Sequence, residues 1–402
     1  MKNSIKRVLS VFAAILFVVS AFAQVTTSSV VGKITDNSGA GVPGATVIAV
    51  HTPSGTQYYA VTGTDGRYTI QGMRPGGPYE VTVSLMGYES ETFSKVNLQL
   101  GQAANLSPVL KEASESLQEV VVVALGSVDA TKTGAAQSFG SREIQEMPSI
   151  TRGIADVAKM NPFVRTNGDG AMSFTGTNNR YNSFQIDGAM NNDVFGLTAN
   201  GSNGGMAGTQ PVSMETIEQI VVNIAPFDVR QSGFTGGSIN AITKSGTNTF
   251  HGSVYGFGNN QALYGRYTKA DGNLSSRYSE QLQYQAGVTI SGPIVKDKLF
   301  FFASFEESDN QYPNSYGLGS EISKVDSQKA KDVYDHIQKL AGGKYSGSLP
   351  SDQQVYTKSD KATAKLDWNI NDNHHLSFRY NYTVSKECNY TNASSSDCGQ
   401  RT

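Results

Sequence analysis

Three stretches in the second half of the chain set polar against apolar side chains with a period of two. In QLQYQAGVTI (281–290), Gln281, Gln283, Gln285 and Thr289 oppose Leu282, Tyr284, Ala286, Val288 and Ile290. In KATAKLDWNI (361–370), Lys361, Thr363, Lys365, Asp367 and Asn369 oppose Ala362, Ala364, Leu366, Trp368 and Ile370. HLSFRYNYTV (375–384) sets His375, Ser377, Arg379, Asn381 and Thr383 against Leu376, Phe378, Tyr380, Tyr382 and Val384. This alternation predicts strands with one polar and one apolar face. A soluble sandwich would share the period, so the connections must separate the two. From a first strand beginning near Phe250 they run long (259–280), short (SGPIVKDK), long (308–360), short (NINDNH) and long again from Ser385. That rhythm belongs to an antiparallel membrane barrel with its loops on one face, and it places about five strands in residues 248–402. Within the second long loop, SQKAKDVYDHIQKLAGG puts Val333, Ile337 and Leu340 on one side of a helix, which predicts a helix folded over its own loop.

The front of the chain has a different texture. VVGKITD, TVIAVHTPSG, YYAVTGTDGRYTIQGM and PYEVTVSLMGYES are short alternating runs cut by turn residues. They predict a β-sandwich within residues 24–112. Asp65-Gly66, between YYAV and YTIQ, predicts a hairpin because the pair supplies positive φ angles. Next comes LQEVVVVALG (117–126), whose four valines form a strand with two apolar faces: a core strand, or one that adds to another protein's sheet. Beyond it, Ser141 is placed to cap a short helix in SREIQEM. SITRGIADVAKMNPFV carries Ile150, Ile154, Val157 and Ala158 near helical spacing. NSFQIDGAMNND, METIEQIVVNIAPFDV and GGSINAITKSG read as strands around a Gly- and Asn-rich loop too long to be a simple connection.

Composition fixes the compartment. Residues 1–23 hold Lys2, Lys6 and Arg7, an apolar run from 8 to 19, then Ala21-Phe22-Ala23, the pattern of a cleavable secretory signal. The run is short for a membrane anchor, which needs about 20 residues. Cleavage after Ala23 would take the formal net charge from −2 to −5, and no Lys/Arg cluster points to nucleic acid. No later stretch stays apolar for a spanning helix, whereas 42 glycines, 19 tyrosines and 16% charged residues suit a turn-rich β protein. Two cysteines, Cys388 and Cys398, could close one loop or stay free. The five histidines form no His-Glu metallopeptidase set, and no nucleophile, base or metal constellation supports an enzyme or a cofactor site.

GKITDNSGAGVPGATVIA, TGTDGRYTI and VSLMGYES resemble the carboxypeptidase regulatory-like domain, a transthyretin-like sandwich without catalytic residues of its own. VVVVALGS, REIQEMP, GIADVAKMNPFV, FQIDGAMNND, ETIEQIVV and GFTGGSINAITKSGTNTFHGSVYGF together resemble the plug domain of TonB-dependent outer-membrane receptors of the SusC/RagA-like and Oar-like branch. The resemblance implies a mainly β chain: signal peptide (1–23), sandwich (24–112), linker (113–127), α+β plug (128–247) and the first strands of a transmembrane barrel (248–402). Within it, Glu119, Val120, Val121, Val122 and Val123 match the TonB box, the strand offered to the energy-coupling partner. Five strands cannot close a barrel, and an open edge in lipid costs several kcal/mol per unsatisfied group. The chain is therefore expected to be the N-terminal part of a longer receptor.

The function expected is import of a glycan, peptide or metal chelate across the outer membrane. Its partners would be TonB, the membrane lipids, the unknown substrate and, in SusC-like systems, a surface lipoprotein. Outward plug loops nominate Asn178, Asn179, Arg180, Asn191, Asn192 and Asp193 as substrate contacts, chosen for polarity and placement; for any single one the role of a turn or capping group weighs more. Gly233, Gly236 and Gly237 are expected to serve backbone geometry. The alternative is a secreted or surface-associated adhesion protein that uses the front sandwich as its binding module.

Overall fold

The computed structural model describes residues 27–101, 103–112, 135–147, 149, 152–166, 171–193, 198, 201–202, 205, 208–224, 234–275, 280–313, 326–345, 354–371 and 374–388. The expected signal peptide, the linker with Glu119, Val120, Val121, Val122 and Val123, and also Ile150, Gly233 and Cys398, lie outside them. No helix among the described residues is long and apolar enough to cross a membrane.

The front unit is a sandwich of two sheets. One holds β1 (Ser28–Lys33) between β5 (Arg67–Met73) and β8 (Ala103–Asn105). The other runs β4 (Thr56–Val61), β3 (Thr46–His51), β6 (Gly76–Ser84), β7 (Glu91–Leu98). A small parallel pair, β2 (Thr35–Asp36) with β9 (Val109–Leu110), closes one end. Alternate residues of both sheets, including Val30, Val47, Ala49, Ile70, Tyr79, Val81 and Val83, fill a single core. Asp65-Gly66 does not close a hairpin. It carries the chain from β4 in one sheet to β5 in the other. Gly66 still needs its positive φ of 75°, and a Cβ there would lie 2.4 Å from the Ile34 carbonyl, so the Asp-Gly signal is a packed corner between sheets.

The second unit is a five-stranded mixed sheet in the order β10 (Ala135–Gly140), β15 (Ile217–Ile224), β16 (Ser238–Thr243), β13 (Ser183–Ile186), β14 (Ala189–Met190). α1 (Ser141–Glu146), α2 (Ile154–Ala158) and the hairpin of β11 (Val164–Thr166) with β12 (Met172–Phe174) accompany it. Ile220, Val222, Ile239 and Ala241 pack with Ile154, Val157 and Phe174 in a second core. Ser141 is not the cap of α1. Gly140 is, and its N–H donates to Glu143 Oε2 at 3.0 Å, because Ser141 already has helical backbone and cannot turn its hydroxyl onto the first free amides. The expected strand NSFQIDGAMNND is a hairpin, β13 and β14, turned at Asp187-Gly188 with φ of 47° and 79°.

The third unit is an antiparallel sheet of five strands in chain order: β17 (His251–Asn260), β18 (Leu282–Val295), β19 (Leu299–Pro313), β20 (Gln354–Asn371) and β21 (His374–Cys388). Its polarity is inverted relative to a soluble sheet. Thr289, Lys361, Thr363 and Lys365 are buried, while Val288, Ile290, Leu366, Trp368, Phe378 and Tyr380 are exposed. The apolar outer band ends at the row pairing Glu307 with Asp360, next to the row of Phe305, Ala362 and Tyr382. The strands are longer than the alternation indicates, leaving a short turn of 296–298 and only two residues between the paired Asn371 and His374. Main-chain pairing continues past residues that break the side-chain pattern, with register shifts beside Pro293 and Asn369 absorbing the irregularity. In the long loop, α3 (Ser327–Leu340) is capped by Asp326. Its Val333, Ile337 and Leu340 are exposed, and it is Tyr334 and Gln338 that meet Tyr345 of the same loop. Cys388 is disulfide-bonded.

In the sandwich core, Thr62 Oγ1 donates to the Val42 carbonyl at 2.7 Å and accepts from Ala45 N at 2.8 Å. Thr62→Val keeps the shape but leaves two buried groups unpaired, at about 1–3 kcal/mol each. A urea titration of the sandwich transition is expected to show a clear drop in midpoint; an unchanged midpoint would refute this account of the corner.

Candidate functional site

The inward polar face of the barrel sheet needs partners, and the plug unit supplies them. Halfway along β19, Glu306 is 1% exposed. Its carboxylate accepts from Tyr255 Oη at 2.8 Å, Gln285 Nε2 at 2.7 Å and Lys361 Nζ at 2.9 Å, all from the wall, and from Ser213 Oγ of the plug. Ser213 also accepts from Glu215 N at the start of a short turn. Nearby, Thr209 donates to Ser359 at 3.0 Å, and Thr216 meets Ser304 at 3.0 Å. Segment 209–216 is thus pinned to the wall by a charge already neutralised within it.

A second cluster lies toward the short-turn end. The Asp187-Gly188 turn aims a carboxylate that accepts from Thr243 N at 2.7 Å, Thr243 Oγ1 at 2.6 Å and Arg379 Nη1 at 2.6 Å, with Lys365 Nζ at 3.7 Å. Lys365 also donates to the Thr243 carbonyl at 3.2 Å. Thr243 ends β16, so Asp187 ties the last plug strand to two barrel strands just where the chain crosses from one unit to the other. The signal that could have found it is the Asp-Gly pair flanked by alternating residues, which the strand reading of FQIDGAMNND passes over.

The sandwich docks at the same end. Arg74 Nη2 donates to Asp367 Oδ2 at 2.8 Å, and Ser377 Oγ donates to Asp367 Oδ1 at 2.7 Å. Asn369 Nδ2 reaches Thr56 Oγ1 at 2.8 Å, and Asn248 N reaches the Pro53 carbonyl at 2.9 Å. Leu100 packs against Val221 and Ile242 on the second face of the plug sheet. Glu218 stands close to Arg74; burial holds its carboxyl above the ordinary carboxylate range, with Arg74, Lys365 and Lys244 pulling the other way. A cavity of about 440 Å³ remains between sandwich, plug and wall, lined among others by Arg74, Asp187, Glu218, Lys365, Asp367 and Arg379.

The nominated substrate residues sit together near the other end of the plug sheet, but most are occupied with backbone. Asn178 Oδ1 accepts from Arg180 N at 3.0 Å and caps the turn of Asn179–Tyr181. Asn192 Oδ1 accepts from Phe184 N at 2.6 Å, Asn191 N donates to the Phe184 carbonyl at 2.8 Å, and Asp193 Oδ2 accepts from Thr198 N at 2.7 Å. Asn182 links the two groups by accepting on its carbonyl from Asn192. The Arg180 side chain is exposed. Gly236 and Gly237 serve close approach: a Cβ on Gly236 would fall 2.4 Å from Asn182 Oδ1, and one on Gly237 2.2 Å from the Phe174 ring.

Two measurements follow from these clusters. Lys361→Met removes one member of a buried pair, which typically costs 3–5 kcal/mol by stranding the other, roughly as large as any single change in this wall. Lys361→Met with Glu306→Gln should recover much of that loss; heat-modifiability on gels reads both, and equal shifts for single and double variants would contradict the pairing. His51, bonded to Ser54 at 2.6 Å, has its pKa lowered to about 3 by burial and by Arg74. Its unfolded value is about 6.5, so the unfolded chain takes up the proton. Its contribution is complete above about pH 6.5 and is lost as pH falls toward 3. His51→Gln should flatten that part of the pH dependence of amide protection in β3; an unaltered slope would count against it.

Residues 29–111 match the carboxypeptidase regulatory-like domain, and residues 242–324 match an outer membrane beta barrel domain. The TonB-dependent transporter Oar of Myxococcus xanthus is 28% identical over 393 residues, covering 93% of this chain and 35% of the relative. The TonB-dependent receptor SusC of Bacteroides thetaiotaomicron is 27% identical over 295 residues, covering 69% of this chain and 27% of the relative. The chain thus spans about a third of the length of these curated relatives. Among solved structures, the outer membrane transporter YddB from Escherichia coli is 15% identical with a TM-score of 0.45, covering 63% of this chain and 33% of that one. The siderophore receptor PirA from Acinetobacter baumannii is 18% identical with a TM-score of 0.42, covering 63% and 32%.

Proposed function

Starting from a chain homologous to TonB-dependent transporters and located in the outer membrane, we propose that it serves to import a cargo captured outside the cell. The energy comes from TonB, which takes hold of residues 119–123 as an added strand and displaces or remodels the plug. The observation that carries this reading is the inverted sheet whose buried polar face is satisfied by a separate α+β unit. A wall that spends charges such as Lys365 and Arg379 on a plug rather than on itself is built to release that plug.

Residues 24–112 act as a periplasmic module and 128–247 as the plug. Cargo contacts fall to the outward plug loops. Arg180 and the exposed Tyr181 are their main side-chain donors, while Asn178, Asn192 and Asp193 shape the loops that present them, with Asn179 and Asn191 beside them. The cargo class is a glycan, a peptide or a metal chelate, and a surface lipoprotein is a further partner of the complete receptor.

Val121→Pro tests the coupling step, since proline removes a main-chain donor from strand addition. Binding of the purified periplasmic domain of TonB to the detergent-solubilised receptor is expected to weaken by about tenfold or more, roughly 1.4 kcal/mol. Undiminished binding would remove residues 119–123 from the mechanism.

A further inference from the structure

We propose that the front sandwich is a movable floor over the periplasmic exit of the transport path, held shut by Arg74 against Asp367, with the cavity above it as a vestibule for cargo leaving the plug and wall. The inference rests on the import reading for its purpose, but the motion it describes can be tested without any cargo.

The position of the cavity supports it first. It lies at the short-turn end of the barrel sheet, beside Trp368, Asn369 and His375, and short turns mark the periplasmic side of such barrels. Its upper lining comes from the two strands and the hairpin turn that the Asp187 cluster joins, so a plug displaced from Lys365 and Arg379 would open directly into it. Its lower lining comes from Thr56, Tyr58, Gly72, Arg74 and Pro75 of the sandwich. A solute passing between plug and wall at this point therefore meets the sandwich before it meets the periplasm.

The character of the contact supports it second. The plug is fastened to the wall by buried charges and many hydrogen bonds. Among the described residues the sandwich is held by a shorter set of contacts: the Arg74–Asp367 pair, enclosed to about the same degree as Arg379 with Asp187, Thr56 to Asn369, Pro53 to Asn248, Tyr58 against His375, and Leu100 on Val221 and Ile242. Polar interfaces of this kind between units of one chain permit relative movement. The pair also favours the closed state specifically: both side chains are largely buried when the floor is up and both regain water when it is down. Removing one weakens the compensation of the other in the closed state, where Glu218 and Lys365 supply the remainder, so either substitution shifts the balance toward open.

Ser245 supplies the reporter. It lines the cavity beside the Asp367 carboxylate. In the receptor at its complete natural length, reconstituted in liposomes, Ser245→Cys is treated with a water-soluble maleimide and labelling at that position is read by mass spectrometry. Slow labelling is expected in the parent. Adding Arg74→Ala or Asp367→Asn should each speed it about tenfold, and the double variant should be no faster than either single one, because both remove the same contact. Arg74→Lys should stay close to the parent. Equal rates in parent and single variants would overturn the movable floor, as would additive effects in the double variant, which would indicate general loosening. Neither result bears on TonB binding through residues 119–123, so the import reading stands or falls separately.

Discussion

Everything in this chain follows from a sheet whose backbone is satisfied in lipid and whose side chains are sorted accordingly. A strand in hydrocarbon must pair all its amides with neighbouring strands. Outward residues must be apolar, which leaves the alternate positions polar and facing inward. Those inward groups, Glu306, Lys361, Lys365, Asp367 and Arg379, then need partners that the wall alone does not fully provide. The plug is the answer to that requirement, and its shape is dictated by where the wall's charges stand.

The two plug contacts differ in kind. Around Glu306 the wall compensates its own charge through Lys361, and the plug contributes hydroxyls from Ser213 and Thr209. Around Asp187 the plug brings the charge, and Lys365 and Arg379 of the wall answer it. The first contact keeps a neutralised pair within the wall, whereas the second joins a plug carboxylate to two wall cations. The charge-bearing contact between plug and wall is therefore the one at the end nearest the sandwich. That is also where the sandwich adds Arg74 and Glu218 to the same neighbourhood.

Much of this was legible beforehand. The alternation in 281–290, 361–370 and 375–384 located three strands and the correct faces, because a period of two is a local property of the backbone. The front sandwich was legible for the same reason. Most of the misreadings concern non-local partners, and the cap at Ser141 is a local one. Asp65-Gly66 has the local geometry of a hairpin, yet β4 and β5 pair with β3 and β1 instead. Ser141 has the chemistry of a cap, yet the helix begins one residue earlier. The apolar face of α3 suggested a covered helix, yet Val333, Ile337 and Leu340 stay exposed. For the polar loop residues, composition picked out Asn178, Asn192 and Asp193 but could not tell a side chain aimed at a ligand from one spent on its own turn.

What the sequence by itself determined was the order of the units, the strand-forming segments and which face of each wall strand is apolar, since these depend on neighbours one to four residues away. Only the tertiary structure decided that Asp187 meets Arg379 across 192 residues, that Ser213 meets Glu306 and that Arg74 meets Asp367. Opposite charges carry no address in a sequence. Their pairing is set by the register of sheets folded from distant segments, and that register exists only once the sandwich, the plug and the wall are packed together.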